Sequence, residues 1–243
     1  MSLSIKHITK HFGGIHAIDN CSMEIEEGKI TAIIGPNGSG KSTLFNMISQ
    51  LIDEDHGTIE YKGKQISKLR DFEVARAGIS RTFQEVRLFQ NLTIKEHLEI
   101  DLGENDESLW RSLLLPEKVS KMVIQEILET IDLKKPEFTL ATDLSYGQRK
   151  LLDLGIALAS SHTILLLDEP VAGVNPALRE QIKKVLKRLN SAGETILLIE
   201  HDMNFVMDLA HTIIVLDAGK VIAHGTPKEI QKNKAVLDAY LGE

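Results

Sequence analysis

One cysteine, one tryptophan and six prolines in 243 residues leave several kinds of protein out of account. The lone Cys21 cannot close an internal disulfide, so a disulfide-stapled secreted domain is excluded and a reducing cytosol is the expected setting. No apolar run approaches the roughly eighteen residues of a spanning helix. The opening Met1 to His7 has no apolar signal-peptide core, so the chain reads as soluble and any membrane contact is expected to come through a partner. Basic residues are outnumbered 28 to 35, a net charge of −7, which argues against a general nucleic-acid surface. Internal repeats, low-complexity tracts and proline-rich linkers are absent. What remains is ordinary globular composition, long enough for one large α/β domain with subdomains.

The most informative stretch is Gly35-Pro36-Asn37-Gly38-Ser39-Gly40-Lys41-Ser42. It fits the phosphate-binding pattern G-x-x-x-x-G-K-[ST] at every fixed position. Lys29 to Ile34 before it is short, apolar and β-branched, as a buried strand should be, and Thr43 to Ile48 after it reads as a helix. Glycines let successive N–H groups turn inward around phosphates, and the helix start favours anions. Lys41 is then suited to the β- and γ-phosphates and the Ser42 hydroxyl to Mg²⁺.

Elsewhere the pattern alternates. Leu3 to Ile8 and Cys21 to Ile25 read as strands of an antiparallel flap, with turns at Gly13-Gly14 and Glu27-Gly28; His56 to Lys64 reads as a strand and turn able to return to that flap. Residues 66–77 read as a short charged helix and 79–84 as a strand. From Thr93 to about Ser160 the period is helical, with a polar break at Gly103-Glu104-Asn105-Asp106. Thr163 to Asp168, a helix over 176–191 and a strand over 195–199 restore the strand–helix alternation of a parallel sheet. Ile213 to Asp217 and Val221 to Ala223 suggest a late hairpin.

Leu166-Leu167-Asp168-Glu169-Pro170 ends an apolar strand in two adjacent carboxylates. By itself such a pair is equally an ordinary solvated turn. Beside a phosphate loop it divides into two tasks, Asp168 facing Mg²⁺ and Glu169 facing an attacking water, because successive strand residues point opposite ways.

With Leu144-Ser145-Tyr146-Gly147-Gln148 added, the chain resembles the ATP-binding subunits of ABC transporters, whose signature is usually L-S-G-G-Q. The resemblance runs along almost the whole chain. It implies an α/β fold: a P-loop NTPase core with a mostly parallel sheet and an antiparallel β subdomain, at about 1–84 and 161–243, and an inserted helical subdomain at about 85–160. It makes Phe12 the aromatic that stacks on adenine, and residues 35–43, through Thr43, the Walker A loop. Gln84 becomes the Q-loop glutamine, a ligand of the metal and part of the catalytic set with Lys41, Glu169 and His201. Ser145, Gly147 and Gln148 become nucleotide contacts, Gly173 to Asn175 the D-loop and His201 the switch. Outside that resemblance Phe12 would be a core aromatic, Gln84 a strand cap and His201 a surface histidine. Tyr146 departs from the usual glycine and Asn175 from the usual aspartate, so an altered rate or altered subunit communication is expected, with hydrolysis retained.

The implied activity is Mg²⁺-dependent ATP hydrolysis in a dimer, identical or paralogous, whose signature motifs close on the ATP of the opposite subunit. Arg81 to Phe89, the Leu-Ser-Tyr-Gly-Gln signature, Val171 to Pro176 and Ala239 to Glu243 resemble branched-chain amino-acid importer subunits, to which urea and small-amide subunits are closely similar. That implies integral-membrane permease partners, a substrate-binding protein indirectly, and a peripheral place on the cytoplasmic face of the cell membrane. Phe83, Val86, Leu88 and Phe89, with Arg87 at the rim, are expected in the groove for a permease helix, or else in plain core packing. A soluble ABC ATPase of a cytosolic assembly machine, as in iron–sulfur cluster biogenesis, is the alternative. Ribosome- or nucleic-acid-associated relatives usually need tandem cassettes or long coiled coils, and neither is present.

Overall fold

The computed structural model describes residues 3–104 and 117–241. Asn105 and Asp106 of the expected polar break, and Gly242 and Glu243 of the C-terminal stretch, lie outside the described residues.

Six strands form the central sheet: β3 (Ile30–Ile34), β6 (Ile79–Arg81), β7 (Ile164–Asp168), β8 (Thr195–Ile199), β9 (Thr212–Asp217) and β10 (Lys220–Gly225), in the order β10-β9-β3-β8-β7-β6. Neighbours are parallel except for the β9–β10 hairpin. All residues of β3, β7 and β8 are buried, as expected of a parallel sheet covered on both faces. Alternation assigns the faces: Ile30, Ala32, Ile34, Leu165, Leu167, Ile196 and Leu198 enter one core, and Ile33, Leu166, Leu197 and Ile199 the other.

The second core lies between this sheet and an antiparallel one of β1 (Leu3–Phe12), β2 (Ile15–Ile25), β4 (His56–Tyr61) and β5 (Lys64–Gln65), ordered β2-β1-β4-β5. Helix α1 (Lys41–Ile48) contributes Leu44, Phe45, Met47 and Ile48 to it. The expected flap, with the return of the strand near His56, is therefore present.

Differences from the expected elements have local causes. Helix α2 covers only Asp71–Arg76, because Ile66 and Ser67 serve the sheet: Ile66 N–H donates to Ile59 O at 2.9 Å, and Ile59 N–H to Ser67 Oγ at 2.8 Å. Strand β6 stops at Arg81, after which Thr82 N–H donates to Leu166 O while its hydroxyl accepts from Asp168 N–H.

Among the described residues the helical region has α3 (Ile94–Glu104), α4 (Glu117–Thr130) and α5 (Tyr146–Ala159). Gly155 lets α5 close on its neighbours: a Cβ there would meet Ile131 at 2.8 Å and Ile127 at 3.3 Å. Helix α5 starts at Tyr146 because Ser145 caps it. Ser145 Oγ accepts from Gln148 N–H at 3.3 Å and Gln148 Oε1 accepts from Ser145 N–H at 3.0 Å, a capping box. The chain continues through α6 (Pro176–Ser191), α7 (Met203–Leu209), α8 (Pro227–Ile230) and α9 (Lys234–Leu241). No described helix is long and apolar enough to cross a membrane.

Candidate active site

The loop between β3 and α1 owes its shape to two glycines. Gly35 has φ +153° and a Cβ would stand 2.0 Å from Leu216 O; Gly40 has φ +99° and a Cβ would stand 2.4 Å from Ala17 O. Only glycine fits either place. Gly219 N–H donates to Ser39 O at 3.1 Å, fastening the loop to the β9–β10 turn. Lys41 is buried and its ammonium donates to Gly35 O (2.9 Å), Pro36 O (2.7 Å) and Ser39 Oγ (3.3 Å). The first N–H groups of α1 lack intrahelical acceptors, and that end of the helix carries partial positive charge. Asn37, Gly38 and Ser42 are exposed, and Thr43 is half-buried. The arrangement is an anion cradle with a cation held inside it.

Asp168 ends β7 with 4% of its surface exposed. Its Oδ2 lies 3.1 Å from Nη2 of Arg81, while Oδ1 is buried without a partner. Arg81 also donates through Nη1 to Asn46 Oδ1 at 2.9 Å and Ser49 Oγ at 2.8 Å, at the end of α1. One guanidinium thus locks the phosphate-loop helix to the acidic strand end. Burial pushes the Asp168 carboxyl up and the Arg81 guanidinium down, and each charge opposes the shift of the other.

Glu169 follows with φ +50°, uncommon for a residue with a side chain, and its N–H donates to Ile199 O at 3.0 Å. Its carboxylate is held at both oxygens. Gln84 Nε2 donates to Oε2 at 3.0 Å and His201 Nε2 lies 3.1 Å from Oε1. Three of the residues expected to act together are therefore in direct contact, although 85 positions separate Gln84 from Glu169.

Two buried charges here carry no signal in the sequence. Lys150, on α5, donates to Gln84 O at 3.1 Å and Glu169 O at 3.0 Å; its burial lowers its pKa. Glu200, 3% exposed, accepts N–H bonds from Val171, His201 and Asp202. In sequence Lys150 is an unremarkable polar position of a helical run, and Glu200 is only the neighbour of His201. Arg81 belongs to the 81–89 stretch, where nothing in the sequence gives it a task.

Ser145, Gly147 and Gln148 gather elsewhere. With Tyr146, Gly173, Asn175 and Leu178 they line an open cleft of about 580 Å³. A Cβ on Gly173 would lie 3.4 Å from the Tyr146 ring, and one on Gly147 would lie 2.2 Å from Leu178 Cδ2. Asn175 caps α6 by accepting from Leu178 N–H at 2.9 Å, a task asparagine performs as well as aspartate. Phe12 ends β1 half exposed, with the Lys10 ammonium 5.6 Å from its ring centroid.

The residues fit Mg²⁺ and a nucleotide. The unpartnered Oδ1 of Asp168, the exposed Ser42 hydroxyl and the amide of Gln84 supply the oxygen donors a hard cation takes alongside substrate phosphates. The cradle suits the phosphates themselves.

Similarity to known proteins agrees with this geometry. The family pattern described as ABC transporter matches residues 18–172, and that of the branched-chain amino acid ATP-binding cassette transporter matches residues 220–243. The high-affinity branched-chain amino acid transport ATP-binding protein LivG of Salmonella typhimurium is 36% identical, over 99% of this chain and 98% of its own. A nucleotide-free ATP-binding cassette from an ABC transporter superposes with a TM-score of 0.88 at 33% identity, over 100% of this chain and 99% of that one. The cassette MJ0796, solved as a dimer in a post-hydrolysis state with ADP and Pi, gives 0.83 at 28% identity, over 93% and 98%.

Proposed function

Because the chain belongs to the family of ABC transporter ATP-binding proteins, we propose that it is the ATP-hydrolysing subunit of an importer for branched-chain amino acids or a similar small solute. The observation that carries the reading is the Glu169 carboxylate, held between Gln84 and His201 one residue beyond the buried Asp168.

Lys41 and the inward N–H groups of residues 35–43 hold the triphosphate, and Phe12 stacks on the base. Mg²⁺, held by Ser42, Asp168 and Gln84, supplies neutralisation of the phosphate charge when bound. Glu169 accepts the proton of the attacking water, with Gln84 and His201 fixing which way its lone pairs point. Ser145, Gly147 and Gln148 sit at the start of α5, outside this cluster. They complete the site from a second ATPase subunit, whether identical or paralogous, by presenting a hydroxyl and helix-start N–H groups to the γ-phosphate. The dimer closes because ATP is contacted by both halves only when closed, and it reopens when hydrolysis removes that contact.

The permease partner docks where β6, α2 and α5 leave a cleft of about 410 Å³, lined by Leu51, Phe72, Phe83, Arg87, Asp153 and Ile156 among others. Of the residues expected in that groove, Phe83 and Arg87 line it. Leu88 packs against the core and Phe89 lies exposed beside His97. Through the permease the subunit is peripheral on the cytoplasmic face of the membrane and meets a substrate-binding protein only indirectly. The branched-chain assignment rests on full-length relatives named for that transport and on the C-terminal match at 220–243; none of these supports the iron–sulfur assembly alternative. Mild detergent extraction with the tagged chain tests the reading. A polytopic membrane protein should co-purify, and recovery of soluble assembly factors in its place would overturn it.

A further inference from the structure

Glu200 is a buried carboxylate with no ion pair among the described residues, which is a costly arrangement unless its oxygens are well satisfied. They are satisfied by backbone alone. Oε1 accepts from Val171 N–H at 2.9 Å, and Oε2 accepts from His201 N–H at 3.0 Å and Asp202 N–H at 3.4 Å. The two oxygens therefore hold two different loops, the one opening at Val171 and the one carrying His201. Such bonds to an ionised acceptor are the stronger kind.

A second tie runs beside the first. Asp202 caps α7 by accepting from Phe205 N–H at 3.0 Å, and its other oxygen pairs with Arg179 of α6 at 2.5 Å. Helix α6 begins directly after the 171–175 loop. At its far side that loop passes Gly173 beneath the Tyr146 ring, while Leu178 fills the space against Gly147. From His201 to the start of α5 the contacts run without a gap.

We propose that Glu200 is a positioning residue that fastens His201 to the 171–175 loop, so that His201 faces Glu169 only while that loop is seated against Tyr146. This rests on the reading that the α5 start closes on the nucleotide of a second subunit. Under it, closure at one site is felt at the catalytic carboxylate of the other through the 171–175 loop.

Glu200→Gln keeps the shape but turns an amide NH₂ toward backbone N–H donors, so one of the two loops loses its acceptor. The expected result is a kcat lower by about tenfold or more, with KM for ATP within about twofold of the parent. In a His201→Ala background the same change should add less than about twofold, because the two act through one another. Thermal melting accompanies each variant. If Glu200→Gln does not fold, Glu200→Asp, which keeps the charge but shortens its reach, should give the same split of kcat from KM to a smaller extent. A parent-like kcat in the folded variant, or an undiminished effect on top of His201→Ala, overturns the proposal. Glu169→Gln is assayed alongside: if it hydrolyses ATP at the parent rate the ATPase reading itself fails, whereas an inert Glu169→Gln beside a fully active Glu200 variant sinks only the positioning role.

Discussion

Nε2 of His201 lies 3.1 Å from Oε1 of Glu169, while Gln84 donates to the other oxygen of the same carboxylate at 3.0 Å. A carboxylate gripped at both oxygens has one orientation. Removing its charge while keeping its shape should therefore separate binding from turnover. Glu169→Gln is expected to lower kcat by about 10²–10⁴-fold, the usual contribution of a positioned general base, with ATP still bound and the dimer accumulating. Phosphate release and light scattering with ATP check it; a variant that remains monomeric at saturating ATP contradicts the clamp.

The Arg81–Asp168 pair offers a test of stability. Both side chains are nearly inaccessible, and Nη1 of Arg81 donates to Asn46 and Ser49. Arg81→Met leaves a buried carboxylate uncompensated and is expected to cost about 3–5 kcal/mol. Arg81→Lys should recover only part of that, since a single ammonium cannot replace a fork that serves both α1 and β7. Urea unfolding of the two variants measures this, and a loss below about 1 kcal/mol for Arg81→Met would mean that Asp168 finds other support.

What the sequence disclosed and what it withheld divide along a physical line. The strand, glycine loop and helix at 30–48 were legible because their pattern is local: period, glycine positions and an adjacent lysine lie within one window. The strand over 195–199 and the helix over 176–191 were read residue for residue. The conjunction of Gln84, Glu169 and His201 was legible only through the order of motifs in a family, since no local rule joins positions so far apart. Arg81, Lys150 and Glu200 carried no such cue. Their tasks consist of hydrogen bonds to distant backbone or to side chains of other elements, and a charged residue destined for burial looks in sequence like one on a solvated face. The helix expected over 66–77 failed for a related reason: Ile66 and Ser67 are held by Ile59, a partner that periodicity cannot reveal.

Asp153 gives a pH dependence whose sign runs against the common carboxylate case. It stands on α5 between the two clefts that flank Phe83, and burial pushes its carboxyl up to about 7 against Lys150, which draws it down. In the unfolded chain the group ionises near 3.8. Between those values the folded state holds a proton that the unfolded state has released. Its contribution to stability is thus fully present below about pH 4 and is lost as pH rises to about 7. Asp153→Asn, which stays neutral, should match the parent near pH 4 and exceed it progressively up to pH 7, with a constant advantage above. Thermal melts across that range provide the measurement. An advantage that grows as pH falls would place the carboxyl below its ordinary value.

The phosphate loop supplies the last prediction, because two of its glycines are alike in backbone and unlike in surroundings. Gly38 has φ +78° and Gly40 has φ +99°, so a side chain at either is strained by roughly 1–2 kcal/mol. Around Gly38 a Cβ would meet nothing within 4 Å, whereas at Gly40 it would stand 2.4 Å from Ala17 O and 2.7 Å from Ile18 Cδ1. Ala17 lies in β2, and its carbonyl cannot retreat without moving the antiparallel sheet. Gly38→Ala should accordingly lose only the conformational increment and retain nucleotide binding. Gly40→Ala should lose distinctly more stability and bind nucleotide weakly, because the loop must leave the β2 wall before Lys41 and the first N–H groups of α1 can face a phosphate. Urea unfolding and nucleotide titration of the two variants side by side decide it. Equal losses would mean that backbone strain alone selects glycine in this loop and that the close approach of β2 has no energetic weight.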